Sequence, residues 1–415
     1  MFYREAGQFK ATYAADMAIF PIRQDRTALM LLLAVAYVGV PLLAFFGVGA
    51  FGHDYVFKAI LIPVLILALA AIGLNILIGY CGQISLGSGA FMAIGAYSAY
   101  KFATGLPEIG VPPLPILASI LLGGAMSAIV GVLFGIPSLR IKGLYLAVAT
   151  LAAQFFFDWV FLRVKWFTNY APSGSVNAPE LNFFGIIVDS PVQKYLLALS
   201  FVTVFALIAK NLVRSNIGRQ WMAIRDMDIA AEIMGIRPLY AKLTAFAVSS
   251  FITGVAGALW ALVHLGSWEP LAFNIDRSFQ LLFMVIIGGL GSILGSFLGA
   301  AFIWILPILL DQIPHIIGVV FALAGVAMVA AISAGKMATE QTLPARAALV
   351  ALLLGFLYWV WKAFFTGAIS VETVSHLVFI ITGSLICYLL IVEPHGFARL
   401  WSITKEKLRL WPFPY

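Results

Sequence analysis

The chain has 415 residues, 62% hydrophobic and 10% charged, with a net charge of +7 and a mean hydropathy of +1.02. So much apolar surface excludes a water-soluble fold; repeated runs near 20 apolar residues instead read as one polytopic membrane domain of roughly ten or more spans. There is no basic run interleaved with aromatics, so nucleic acid is excluded as a partner, and Cys81 and Cys387 lie in apolar surroundings that outline no disulfide framework.

At the start, Phe2, Ala6, Phe9, Tyr13, Met17 and Phe20 fall on one helical face, and Pro21 should stop the helix. Residues 1–27 therefore read either as an amphipathic segment at the cytoplasmic membrane surface or as a disordered tail. The run Leu29–Ala50 is too long for a signal peptide and reads as a retained anchor. The next span begins near Phe57 and leads into a stretch, 73–97, with six glycines together with Asn75, Gln83, Ser85 and Ser88. Non-helical backbone at membrane depth is tolerated only against protein or a water-filled cavity, so a broken or re-entrant passage is expected. Close packing through small residues is the competing reading, and both can hold.

Ile116–Ile136 carries Gly123, Ser127, Gly131 and Gly135, a ladder of small residues that marks a helix-contact face. Leu144–Leu162 returns with Gln154 inside it, and a long polar connection runs to Lys194. Tyr195–Ala209 then leads into a polar island, Lys210–Lys242, with six basic and three acidic residues. Such islands are normally cytoplasmic. Leu243–Leu265 leaves again, residues 266–277 form an outer turn, and Phe279–Ile287 comes back. Gly291, Gly295 and Gly299 at steps of four read as helix packing plus a tight turn. After Phe297–Leu310, the runs Ile316–Ala334 and Ala345–Phe365 form a hairpin, Val374–Val392 is the last span, and the tail is basic and aromatic. The expected fold is all-α and polytopic, with about 10–12 transmembrane or re-entrant helices and both termini cytoplasmic.

No catalytic or metal-ligating constellation appears. The five histidines are scattered, and Gly335-Lys336 lacks the first glycine and the Ser or Thr of a phosphate loop. No cofactor is implied, and the chain cannot hydrolyse ATP itself. The polar residues inside the spans are neutral, so coupling by a separate motor fits better than an ion-driven carrier. Asn75, Gln83, Ser85, Ser88 and Gln154 are expected to line the pathway, offering hydrogen bonds without trapping a zwitterion.

Three stretches carry a resemblance. They are Gly73–Gly87 with Ala90–Tyr97; Gly218-Arg219 through Arg225, Ile229-Ala230-Ala231-Glu232 and Gly235 to Gly257; and Gly288-Gly-Leu-Gly291-Ser with Gly295 and Gly299. Together they resemble the permease family of branched-chain amino acid ABC importers, of the LivM type. The resemblance implies a permease at 28–315 with a coupling loop at 214–241, an inserted hairpin at 316–370, and a last span with tail at 371–415. It also implies the bacterial inner membrane as location, and as partners a second homologous permease subunit, two cytoplasmic ATP-binding subunits and a periplasmic substrate-binding protein. Gly218, Arg219, Arg225, Ile229, Ala230, Ala231, Glu232 and Gly235 would then belong to a loop that docks on an ATPase. Trp221, Ile224, Ile229, Ile233 and Met234 would form its apolar side, and Arg219, Arg225, Asp226, Asp228 and Glu232 a polar rim. A solvated charged loop is the alternative. Urea, short amides or aromatic acids are alternative cargoes, and an ATP-independent carrier or channel is the alternative of another class.

Overall fold

Helices that are apolar on every side have no solvent face to offer, and they form the centre of this protein. A computed structural model describes residues 23–47, 54–106, 110–138, 145–171, 174–183, 185–308, 380, 383–384 and 396–410. The amphipathic start, the 316–370 hairpin and the span at 374–392 fall wholly or mostly outside these residues. The chain divides into two units, Met1–Phe302 with Leu389–Tyr415, and Ile303–Tyr388; all candidate site residues lie in the first.

The helices are α1 (Arg26–Phe45) and α2 (Val56–Tyr80), α3 (Ser88–Thr104), α4 (Ile116–Ser138), α5 (Tyr145–Arg163) and α6 (Pro191–Arg214). Two short helices follow, α7 (Asn216–Asp226) and α8 (Asp228–Ile233). Then come α9 (Pro238–Leu265), α10 (Ile275–Gly288), α11 (Ile293–Ile308) and α12 (Gly396–Leu410). Among the described residues, seven helices are long and apolar enough to cross a membrane, and α11 is a shorter apolar one. With α3 these nine match, one for one, the first nine hydrophobic passages read from the sequence. The sequence reading set Pro270 to Arg277 in an outer turn, but an apolar stretch of 19 residues already runs from Pro270 to Gly288. Phe273 is fully buried, so this segment dips into the bundle.

α2, α3 and α9 form the core; Ile66, Leu69, Ile72, Ala93, Ala96, Val255 and Leu259 are essentially inaccessible. α4 packs across α3 and α9 through its small residues. A Cβ on Gly123 would stand 2.5 Å from the Gly95 carbonyl oxygen, and one on Gly131 would overlap the Ser250 hydroxyl. At Gly135 the nearest atom, Leu243 Cδ1, is 3.3 Å away, a far looser fit. Gly295 meets the backbone of Gly288 and Gly299 that of Met284, which closes α11 onto α10. Gly291 is different: its φ of +74° makes it a turn residue between those helices. α1, α5 and α6 expose Leu31, Phe45, Phe155, Trp159, Leu162, Val204 and Ile208, apolar surface of the kind lipid tails cover.

Helix starts are set by local chemistry that hydropathy overlooks. α6 opens four residues before its apolar run, because Ser190 and Gln193 make a reciprocal capping box ahead of Pro191. At the far end from α7 and α8, two short ribbons form: β1 (Val176–Asn177) pairs antiparallel with β4 (Ser267–Trp268), and β2 (Asn182–Phe183) with β3 (Ile186–Ile187).

The contact of α3 with α9 depends on glycine, since a Cβ on Gly95 would overlap the backbone of Gly254. Gly95→Val should cost upwards of about 1–3 kcal/mol by overpacking, read as a lower thermal midpoint in detergent. Gly39→Ala, with only ordinary contacts to Val35 at 3.5 Å, should leave the midpoint in place.

Candidate functional site

The chemistry-bearing side chains gather where the backbone leaves the helix. α2 ends in a π-wound turn, Ile76–Tyr80. The chain then folds back at Gly82, with φ +72°, and the N–H groups of Gly82 and Gln83 donate to the carbonyls of Ile78 and Leu77. From Cys81 to Gly87 there is no helix, and burial alternates: Cys81, Gln83, Ser85 and Gly87 are buried, while Gly82 and Ile84 are exposed. This is the period of a strand, so Gln83 and Ser85 project the same way, into the protein. Neither polar atom of the Gln83 amide nor the Ser85 hydroxyl has a hydrogen-bond partner. Buried polar atoms in that condition are uncommon, and a water or a ligand is the usual explanation.

The N-terminus of α3, by contrast, is fastened within the bundle. Leu86 N–H donates to Thr150 Oγ1 (2.9 Å), Gly89 N–H to Ser278 Oγ (2.7 Å) and Ala90 N–H to Gln154 Oε1 (2.6 Å). Side chains of α5 and α10 thus serve donors that the helix itself cannot. Gln154 Oε1 also accepts from Ser278 Oγ (2.8 Å), and its Nε2 donates to Phe273 O (2.9 Å) and Asp158 Oδ1 (3.0 Å).

Asn75 is engaged likewise. Its Nδ2 donates to Ser292 O (2.8 Å) and Ser296 Oγ (2.9 Å), and its Oδ1 accepts from Gly291 N–H (2.9 Å). A side chain on Gly79 would overlap both Asn75 Oδ1 and Gly291 N, so the end of α2 and the α10–α11 turn touch through backbone.

Of the five neutral residues expected to line a pathway, Asn75 and Gln154 act as ties between helices: both Gln154 amide atoms and Asn75 Nδ2 have their bonds filled, and Asn75 Oδ1 accepts one. Gln83 and Ser85 retain free hydrogen-bonding atoms, and Ser88 is buried in the first turn of α3. Sequence shows which polar groups lie at depth but not which already have partners. Two residues absent from that list share the free condition: Tyr97 OH and Trp268 Nε1 are buried without partners, with their rings 6.3 Å apart. Their aromatic bodies had read as ordinary span and loop residues. Charged groups also reach into the bundle. Asp158 lies within α5, the Arg277 guanidinium stands over the Trp260 ring at 4.5 Å, and Lys101 lies over Trp166 at 4.2 Å.

The loop between α6 and α9 has two sides. Trp221 is fully buried, its Nε1 donates to Thr244 Oγ1 of α9 (3.1 Å), and Ile224 is buried beside it. Both belong to the protein interior, which corrects their placement on an apolar docking side. Gly218 lets α7 close on α6, since a Cβ there would overlap Val213 O. Arg219 donates to Asn216 Oδ1. Arg225 Nη1 donates to Gly79 O (2.7 Å) while the side chain stays 38% exposed, so from the rim it reaches the end of α2.

α8 ends in a Schellman motif: Gly235 (φ +88°) donates to Glu232 O (2.9 Å) and Ile236 to Ala231 O (3.0 Å). Ala231 is buried and Ala230 half-buried against the bundle. Outward stand Met227 (71% exposed), Ile229 (67%), Ile233 (83%) and Met234 (71%), with Glu232 exposed among them. This is an exposed apolar patch in the most polar stretch of the chain.

The ties and the free groups should separate in stability measurements. Asn75→Leu leaves the Gly291 N–H without its acceptor, at about 1–3 kcal/mol, and should lower the thermal midpoint. Gln83→Leu breaks no hydrogen bond and should leave the midpoint unchanged or raise it.

The family model described as branched-chain amino acid transport system / permease component matches residues 56–323. The high-affinity branched-chain amino acid transport system permease protein LivM of Salmonella typhimurium is 33% identical over 251 residues, 55% of this chain and 57% of the relative. Its Escherichia coli counterpart is 32% identical over the same shares. The ribose import permease protein RbsC of Haemophilus influenzae is 26% identical over 249 residues, 57% of this chain and 71% of that protein. The match thus spans little more than half the length of the LivM relatives, and no solved structure matches. With that family model covering well over half of the chain, and with apolar helices enough for a multi-pass membrane protein, the chain belongs to the branched-chain amino acid transport system permease component family.

Proposed function

We propose that this chain is a translocating subunit of an ATP-driven importer in the bacterial inner membrane, passing branched-chain amino acids inward. It would pair with a second homologous permease subunit, receive cargo from a periplasmic binding protein, and be driven by two cytoplasmic ATP-binding subunits. The observation that carries the reading is the outward face of α8. Ile229 and Ile233 on this six-residue helix and its caps Met227 and Met234 are exposed, and Trp221 of α7 anchors the loop to α9, an arrangement suited to a groove on a partner and to passing on a rigid-body step. The family and the LivM relatives support the same reading.

For the cargo, the free atoms of Gln83 and Ser85 provide neutral hydrogen-bonding positions on the broken passage, and those of Tyr97 and Trp268 a second pair toward the far end of the bundle. Broken helices beside a buried site are a common device in transporters. Neutral donors and acceptors can pass a zwitterion between them without holding it as a counter-ion would. The ribose import relative supports a second reading, in which the same machine carries another small polar solute, such as urea, a short amide, an aromatic acid or a sugar.

Reconstitution in liposomes with the second permease subunit, the ATPase pair and the binding protein tests this. Uptake of radiolabelled leucine should require ATP and both ATPases; uptake by the chain alone on an ion gradient would replace the proposal with a secondary carrier. Ile233→Asp should weaken ATPase co-purification by about 30-fold, the effect of losing a hot-spot residue worth roughly 2 kcal/mol. Glu232→Lys or Gly235→Trp should abolish ATP-driven uptake with insertion retained. Gln83→Leu should reduce uptake while ATPase binding persists.

A further inference from the structure

The α7–α8 loop touches the broken passage through one side chain. Arg225, the last basic residue of α7, turns away from the exposed face of α8 and donates from Nη1 to the Gly79 carbonyl at 2.7 Å. Gly79 lies in the π-wound end of α2, whose terminal carbonyls cannot all find partners within the helix. The stem of the same arginine covers Gly82, the residue at which the chain folds back: a Cβ there would come 3.0 Å from Arg225 Cγ. A Cβ on Gly291, in the α10–α11 turn held by Asn75, would stand 3.5 Å from Nη1. The second face of the guanidinium is fixed by Nε donating to Asp226 Oδ1 at 2.9 Å.

From this geometry we infer that Arg225 is the positioning residue that links movement of the α7–α8 loop to the segment Cys81–Gly87, and so to Gln83 and Ser85. The inference rests on the permease reading above and adds the route of coupling. Two anchors hold the loop. Trp221 fastens it to α9 through Thr244, a helix buried along most of its length. Arg225 fastens it to the point where α2 stops and the chain reverses. That point is hinged by Gly82 at φ +72°, and beyond it neither Gln83 nor Ser85 is held by any hydrogen bond from its side chain. A displacement of α8 pivoting about Trp221 therefore reaches Gly79 and Gly82 through Arg225, and the segment they lead carries the unbonded side chains of Gln83 and Ser85. The role requires an arginine. Its planar fork binds the carbonyl and Asp226 at once and holds a fixed direction, which the single point charge of a lysine cannot do.

The test uses the full complex in liposomes, with radiolabelled leucine as probe, and reads uptake per ATP hydrolysed. Arg225→Ala should keep the ATPase subunits bound through purification, keep hydrolysing ATP, and lose at least tenfold in leucine imported per ATP. Arg225→Lys and Asp226→Asn, which preserve bulk and fold, should fall between it and the parent. A cysteine at the exposed position 84 (Ile84→Cys) gives a second readout. Its maleimide labelling rate should change on ATP addition in the parent background and stay constant with Arg225→Ala. Parent-like coupling and labelling in Arg225→Ala would overturn the inference. Loss of the ATPases from Arg225→Ala would overturn it too, by making Arg225 part of the docking surface. Failure of the parent complex to import with ATP would instead overturn the permease reading beneath it.

Discussion

Inside a bilayer no water is present to satisfy a backbone N–H or C=O, and this requirement organises the protein more than any other. Among the described residues, the chain leaves the helix after α2 and again between α10 and α11, at the end of the bundle that carries α7 and α8. The two interruptions are set against each other and closed by one amide. Asn75 binds Ser292 O, Ser296 Oγ and Gly291 N–H, and Gly79 and Gly291 let the backbones meet without a side chain between them. Half a span further along, Gln154 and Ser278 do the same service for the first N–H groups of α3. Once these needs are met, the few buried polar atoms left over stand out. Among the described residues they include Gln83 and Ser85, on the segment between the two closures, and, toward the far end, Tyr97 and Trp268.

The same junction receives the loop and the tail. Gly396, at the start of α12, is pressed so near that a Cβ would stand 2.5 Å from Ile287 O and 2.8 Å from Gly289 N. Arg225 arrives from the other side. Polar backbone is costly to expose to lipid and cheap to place at the end of the bundle, where side chains from surface elements can reach it. That cost gradient explains why the break, the turn, the loop and the tail meet at one end. It also gives α7 and α8 their two characters: an inner side of Trp221, Ile224 and Ala231 that completes the bundle, and an outer side of Met227, Ile229, Ile233 and Met234 that stays exposed.

Much of this was readable in the residues because the strongest signals are periodic or compositional. Nine apolar passages and the break in 73–97 follow from hydropathy and glycine content. What escaped was a matter of partnership. Asn75 and Gln83 look alike in sequence, polar amides in one glycine-rich stretch, yet one is bonded to residues more than 200 positions away and the other has no partner. Trp221 and Ile229 are both apolar residues in one polar loop, yet one is sealed against α9 and the other exposed. Pro270 to Arg277 looked like a turn because Pro, Asn and charge cluster there; packing against Gly89 and Gln154 draws it inward.

Hydrophobicity and helical period act along the chain, within reach of a few neighbouring residues, and they were enough to assign a polytopic all-α membrane protein and to locate its polar loop. Whether a buried amide is a brace or a free binding group, and whether an arginine faces a partner or the core, depends on atoms brought together from distant helices. Close approach of glycine backbones in three dimensions made those assignments, by closing Asn75 and Gln154 into the scaffold and leaving Gln83 and Ser85 free.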